Sequence, residues 1–129
     1  IVPKSYIPNY SEFYEKRWFT AAAMLTDELV ALPFQENIPF GTNLIFVAGD
    51  YKFGIEICED LWVAIPPSSY LSLLGANIIG NLSASNELVS KKDYRLSLIA
   101  NQSARCMSSY IYSSAGVHES TTDLLFSDK

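Results

Sequence analysis

The run Tyr51-Lys52-Phe53-Gly54-Ile55-Glu56-Ile57 alternates with period two and stops at Cys58-Glu59-Asp60-Leu61-Trp62. Such alternation marks a strand with one buried face and predicts that Tyr51, Phe53, Ile55 and Ile57 point into a core. Cys58 then falls where strand gives way to turn. A thiol presented there, followed by a backbone N–H able to bind an oxyanion, suits attack on a carbonyl carbon. A free cysteine is also among the most buried residue types, so inert packing is the competing reading on position alone.

Around this strand the chain reads as alternating elements. Residues 43–47 are apolar and Gly49-Asp50 supplies turn residues, so a hairpin should lead into the Cys58 strand. Pro66-Pro67-Ser68-Ser69 precedes a short helix over 70–76, with proline at its start. Residues 77–82 are strand-like, and 90–107 form the strongest helix pattern. There Tyr94, Leu98, Ile99 and Cys106 can share the core face while Lys91, Lys92, Arg95 and Arg105 stay polar. Upstream, 6–10 reads as extended loop and 12–32 as partly helical, closed by Pro33 and Pro39. Downstream, 110–113 and 124–126 are short strands separated by a polar loop over 116–123. The expected class is α/β or layered α+β, with residues 1–129 forming one domain or part of one.

Composition excludes several functions. With 49% hydrophobic and 13% aromatic residues in 129, the chain can bury a core. Its net charge is −5, and Lys16, Arg17, Lys91, Lys92 and Arg95 lie in small scattered groups, which is not a nucleic-acid footprint. No apolar run approaches the roughly 20 residues that span a bilayer, and the N-terminus lacks a signal-peptide pattern. A cytoplasmic protein with Cys58 and Cys106 reduced is expected, and the sequons at Asn81 and Asn101 carry no weight. No zinc or P-loop spacing is present. The single histidine, His118, sits in the polar loop and reads as solvated, so a general base for Cys58 must be a carboxylate or a lysine. Lys4 stands out because Pro3, Ser5, Tyr6, Ile7 and Pro8 flank it instead of other charges. The ends, Ile1-Val2-Pro3-Lys4 and Phe126-Ser127-Asp128-Lys129, read as cuts within a longer polypeptide.

Pro3-Lys4-Ser5-Tyr6-Ile7-Pro8-Asn9-Tyr10, Glu12-Phe13-Tyr14-Glu15-Lys16-Arg17 and Ile57-Cys58-Glu59-Asp60-Leu61-Trp62 resemble the nitrilase (carbon–nitrogen hydrolase) superfamily. More narrowly, Cys58 through Ser68, Asn81-Leu82-Ser83-Ala84-Ser85, Ser103-Ala104-Arg105-Cys106 and Glu119-Ser120-Thr121-Thr122-Asp123 resemble the glutaminase domain of glutamine-dependent NAD synthetases. The similarity runs in the same order from Pro3 to Phe126.

That resemblance implies part of an α-β-β-α sandwich lacking its N-terminal elements, and a Glu–Lys–Cys catalytic set. Cys58 matches the nucleophile and Lys4 the catalytic lysine, with the Glu59 backbone N–H assisting at the oxyanion. The family's general-base glutamate lies well upstream of the lysine, before this chain begins. Tyr10, Ser85 and Lys91 fall where the family contacts L-glutamine; Lys91 stands where an arginine can occur, giving up bidentate carboxylate binding. The resemblance further implies a homo-oligomer and an absent C-terminal synthetase domain that uses ATP and magnesium, with no cofactor in this chain. Alternatives are a stand-alone nitrilase-type amidase and a non-catalytic interaction domain of the same fold.

Overall fold

A computed structural model describes residues 1–26 and 28–116, together with the backbone of two short strands, Ser120–Thr121 and Leu124–Leu125. Its first strands are β1 (Leu29–Leu32) and β2 (Gln35–Pro39), an antiparallel pair joined at Pro33-Phe34. A second hairpin joins β3 (Phe46–Ala48) to β4 (Tyr51–Ile57) through Gly49-Asp50, with Gly49 at a φ of +61° as a two-residue hairpin turn requires. The chain then alternates through α1 (Pro67–Leu73), β5 (Ile78–Leu82), α2 (Lys91–Cys106) and β6 (Ser109–Ser113). The strand order is β3-β4-β5-β6, with β4, β5 and β6 parallel. The two crossovers step the same way across the sheet and put α1 and α2 side by side in contact. Two further short strands, β7 (Ser120–Thr121) and β8 (Leu124–Leu125), pair antiparallel; β8 falls in the strand expected over 124–126, whereas β7 interrupts the loop expected over 116–123. His118, Glu119, Thr122 and Asp123 lie outside the described residues.

Period two in β4 is present, but its faces are reversed from expectation. Gly54 and Glu56 are the buried residues, whereas Tyr51 is exposed and Phe53, Ile55 and Ile57 are only half-buried. Register explains it. Gly54, Ile79 and Tyr110 form one cross-strand row, and Glu56, Asn81 and Tyr112 the next, both beneath the helices. Ile55, Gly80 and Ile111, with Ile57 and Leu82 beyond them, form rows on the opposite face, which no described helix or strand covers. An apolar sheet face calls for a covering layer.

Under the helices, Leu71, Ala76 and Ile79 make the apolar core, with Ile45 and Tyr110 packed against it. Gly54 is required here: a Cβ would stand 3.0 Å from Leu71 Cβ and 3.1 Å from Ile79 Cδ1. The rest of this interior is polar, including Glu56, Asn81, Ser68, Arg95 and Gln102. On α2 the expected face holds in part: Leu98, Ile99 and Cys106 are half-buried and Lys92 and Arg105 exposed, but Tyr94 stays exposed while Arg95 and Gln102 turn inward, because the helix docks on a polar layer. Residues 12–32 also depart from expectation. They contain two single 3₁₀ turns, Glu15–Arg17 and Ala22–Met24, and then β1, because the Ala22 N–H is taken by the Lys4 carbonyl at 3.0 Å and the segment docks as a loop.

Leu71→Ala should lower stability by about 2–5 kcal/mol through the cavity it leaves, and Gly54→Ala by about 1–3 kcal/mol through overpacking. Denaturant midpoints at an unchanged slope would confirm both; a wild-type midpoint for Gly54→Ala would mean that α1 yields freely.

Candidate active site

At the end of β4 the chain enters a 3₁₀ turn over Cys58–Trp62, and Cys58 itself has a φ of +50°. A non-glycine residue in the left-handed region is disfavoured by about 1–2 kcal/mol and persists only where its surroundings hold it. Three bonds do so. Asp60, 1% exposed, accepts the Ile57 N–H at 2.9 Å, closing the turn from its third position. The Cys58 N–H donates to Asn81 Oδ1 at 3.1 Å, and Ser83 Oγ lies 3.5 Å from Cys58 Sγ. Glu59 is the second residue of the turn, so its N–H belongs to the donors that a helix start leaves without an intrahelical partner.

The same Asp60 carboxylate recruits the N-terminal strap. It accepts the Tyr6 N–H at 2.9 Å and the Ser5 N–H at 3.4 Å, which sets Lys4 beside the turn. Lys4 Nζ forms an ion pair with Glu15 Oε2 at 2.6 Å, both groups largely shielded. Glu15 was not among the candidates read from sequence; its only sequence signal is its position in the Glu12-Phe13-Tyr14-Glu15 stretch.

Tyr10 donates its phenol proton to Glu59 Oε2 at 2.8 Å. Burial and the bond to Glu59 push this phenol well above the usual tyrosine range, and charge on Cys58 and Glu12 adds to the shift. Lys91 donates to Asn86, and Asn86 to Glu12. Burial, and after it Arg95, lowers the Lys91 ammonium from the usual lysine range, while Cys58, Glu12 and Glu59 pull the other way. The Lys91 ammonium also lies 5.1 Å from the centre of the Trp62 ring. Tyr10, Glu59 and Lys91 therefore share one electrostatic neighbourhood with Cys58. Ser85 is more deeply placed: 3% exposed, it reaches the cluster through Tyr112, whose hydroxyl donates to Ser83 Oγ at 2.6 Å. Beside it Arg95 pairs with Glu87 at 3.6 Å and faces the Tyr112 ring.

The carboxylates around Cys58 are already engaged: Glu12 by Asn86, Glu15 by Lys4, Glu59 by Tyr10 and Asp60 by backbone N–H groups. A separate cavity of about 570 Å³, lined by Pro3, Leu25, Phe40, Tyr70 and Leu73, includes none of the candidate residues. Among the described residues no group of His, Cys, Asp and Glu is arranged to hold a metal ion, and no helix is long and apolar enough to cross a membrane. Cys106, the other thiol, accepts from Gln102 Nε2 at 3.2 Å beneath α1.

Tyr10, Tyr110 and Tyr112 all have phenols raised above the ordinary value of 10.0, chiefly by burial. A raised folded value means that the unfolded chain releases these protons first, so their contribution is complete below about pH 10 and declines above it. Denaturation midpoints should fall between about pH 9 and about pH 11, with phenolate absorbance appearing later than in the unfolded chain. Phenolate absorbance rising together in folded and unfolded protein would refute the shielding.

No family model matches the chain. It is 41% identical over 128 residues, 96% of its length, to a glutamine-dependent NAD(+) synthetase of Mycobacterium tuberculosis H37Rv, and spans 18% of that relative. The structure of a glutamine-dependent NAD(+) synthetase from Cytophaga hutchinsonii superposes with a TM-score of 0.68 at 28% identity, covering 86% of this chain and 17% of that one. A carbon–nitrogen hydrolase from Helicobacter pylori G27 superposes with a TM-score of 0.52 at 22% identity, covering 79% and 30%, and shows the shared fold. Over the stretch it represents, about a fifth of those synthetases, this chain belongs to the glutamine-dependent NAD(+) synthetase family and has a carbon–nitrogen hydrolase fold.

Proposed function

We propose that this chain carries the nucleophile half of a glutamine-hydrolysing site that supplies ammonia to an ATP-dependent synthetase domain outside it. The observation that carries the reading is Cys58, held left-handed at the C-terminal end of a parallel strand. In this reading Cys58 Sγ attacks the side-chain amide carbon of L-glutamine. The C=O π electrons move to oxygen, and the resulting oxyanion is held by the Glu59 N–H and the Lys4 ammonium. Collapse expels ammonia and leaves a thioester; water then adds to it, the C–S bond breaks, and glutamate departs.

Glu15 holds the Lys4 ammonium in place, while Tyr10, Ser85 and Lys91 contact glutamine, with Lys91 nearest in chemistry to an α-carboxylate partner. Both half-reactions need a base that takes and returns a proton. By the family resemblance that base is a glutamate in a part of the protein outside these residues; each described carboxylate near Cys58 already has a partner of its own. The apolar face of β4, β5 and β6 that no described element covers agrees with this, because the layer that covers it can carry the base. ATP and magnesium belong to the synthetase domain, and the released ammonia is consumed there in amidating an adenylated dinucleotide acid.

In the full-length protein, Lys4→Met should reduce glutamine-dependent synthesis on the order of 10²–10³-fold while leaving synthesis from added ammonia within about twofold. Parallel assays with the two nitrogen sources test this. Equal losses with both would make Lys4 structural and remove the carrier of the oxyanion step.

A further inference from the structure

Cys58 hangs from a buried chain of hydrogen bonds that has a single direction. Its N–H donates to Asn81 Oδ1, Asn81 Nδ2 donates to the Tyr110 oxygen at 3.1 Å, and Tyr110 donates its proton to Glu56 Oε1. The other Glu56 oxygen accepts the Ser68 N–H, at the first turn of α1, at 2.8 Å. Glu56 is 0% exposed, Asn81 1% and Ser68 0%. An ionised carboxylate only accepts, so Glu56 compels the Tyr110 hydroxyl to donate toward it. The phenol oxygen can then only accept from Asn81, which turns the Asn81 amide with its oxygen toward Cys58. The side chain of an asparagine fits the same space either way round; here the buried charge selects one way.

We propose that Glu56 and Tyr110 are positioning residues for the glutaminase reaction, acting through the amide orientation of Asn81 to hold Cys58 in its left-handed attacking conformation. The inference rests on Cys58 being the nucleophile. Burial by the helix layer, with the Glu56 charge next, keeps the Tyr110 phenol protonated far above neutral pH, so the donor is always present. Because Glu56 also binds the start of α1, the seat of the helix and the conformation of the nucleophile share one group.

Polarity makes the test specific. In Glu56→Gln the new amide has one oxygen for two donors, Ser68 N–H and Tyr110 O–H. Turning its NH₂ to Tyr110 reverses the phenol and the Asn81 amide, which sets an NH₂ against the Cys58 N–H. In Asn81→Asp two carboxylates compete for one phenol proton. In the double variant Glu56→Gln/Asn81→Asp every donor again meets an acceptor, along a reversed chain, and net charge equals that of the wild type.

In the full-length protein each single variant should lower kcat for glutamine hydrolysis on the order of 10- to 100-fold with KM within about twofold, and leave ammonia-driven synthesis intact. The double variant should regain at least about tenfold over either single. Ser108→Ala, which removes a buried hydroxyl bonded to the Ala76 carbonyl at 2.8 Å, serves as the control for general softening and should retain kcat. The rate of Cys58 alkylation by iodoacetamide should follow the same order. Losses that add in the double variant, a single variant with wild-type kcat, or loss of kcat in Ser108→Ala equal to that of the singles would overturn the proposal. Glutamine hydrolysis that survives Cys58→Ala would instead remove the proposed function, and the alkylation order would then still report whether polarity passes along the chain.

Discussion

The buried carboxylate of Asp60 is the interaction on which the arrangement depends. One oxygen closes the turn after β4, and the two oxygens together tie residues 5 and 6 to that turn across more than fifty residues of sequence. The carboxylate anchors the strap that carries Lys4, and the Tyr10–Glu59 bond holds the same strap further along. Burial raises this carboxyl from its usual range, and the three N–H donors oppose that shift. Ionisation is thus resisted by the surroundings and favoured by the bonds that assemble the site, a balance that works only while all the donors stay in place.

Asp60 organises the mouth of the site and Glu56 its floor. Both acids sit on or just beyond the same strand, with Cys58 between them. The two sets of bonds converge on one residue from opposite sides: Asp60 through the Ile57 N–H, Glu56 through Tyr110 and Asn81 to the Cys58 N–H. The consecutive N–H groups of Ile57 and Cys58, leading into the left-handed residue, are thereby held by side chains from different elements. Such over-determination is what a disfavoured φ requires.

Much of the alternation of strands and helices was legible because Gly49-Asp50, Pro67 and the long 90–107 pattern are local signals. The position of Cys58 at a strand end followed from the same reading. What local signals could not reveal was which face of β4 meets the helices, since periodicity separates two faces without naming their neighbours. The inward turn of Gln102 was hidden for a related reason: its amide donates to Ser68 and Ser69, distant in sequence, and Arg95 likewise lies over the ring of Tyr112 on another element. Glu15 was missed as the partner of Lys4 because the ten residues between them form a loop, whose geometry has no period. The helical expectation for 12–32 failed where docking against the Lys4 carbonyl and the pairing of β1 with β2 outweighed propensity.

Neighbouring residues of β4 serve opposite solvents: Ile55 faces the open apolar side, and Glu56 faces the polar layer under the helices. Along a strand these assignments exchange whenever one residue is gained or lost. A single insertion or deletion between the Gly49-Asp50 turn and Cys58 would turn the strand inside out, stranding a carboxylate among isoleucines and aliphatic side chains among the amides. Length in this segment is therefore under tighter constraint than composition, and apolar exchanges at 53, 55 or 57 should be accepted far more readily than any change in the number of residues that separates the turn from the thiol.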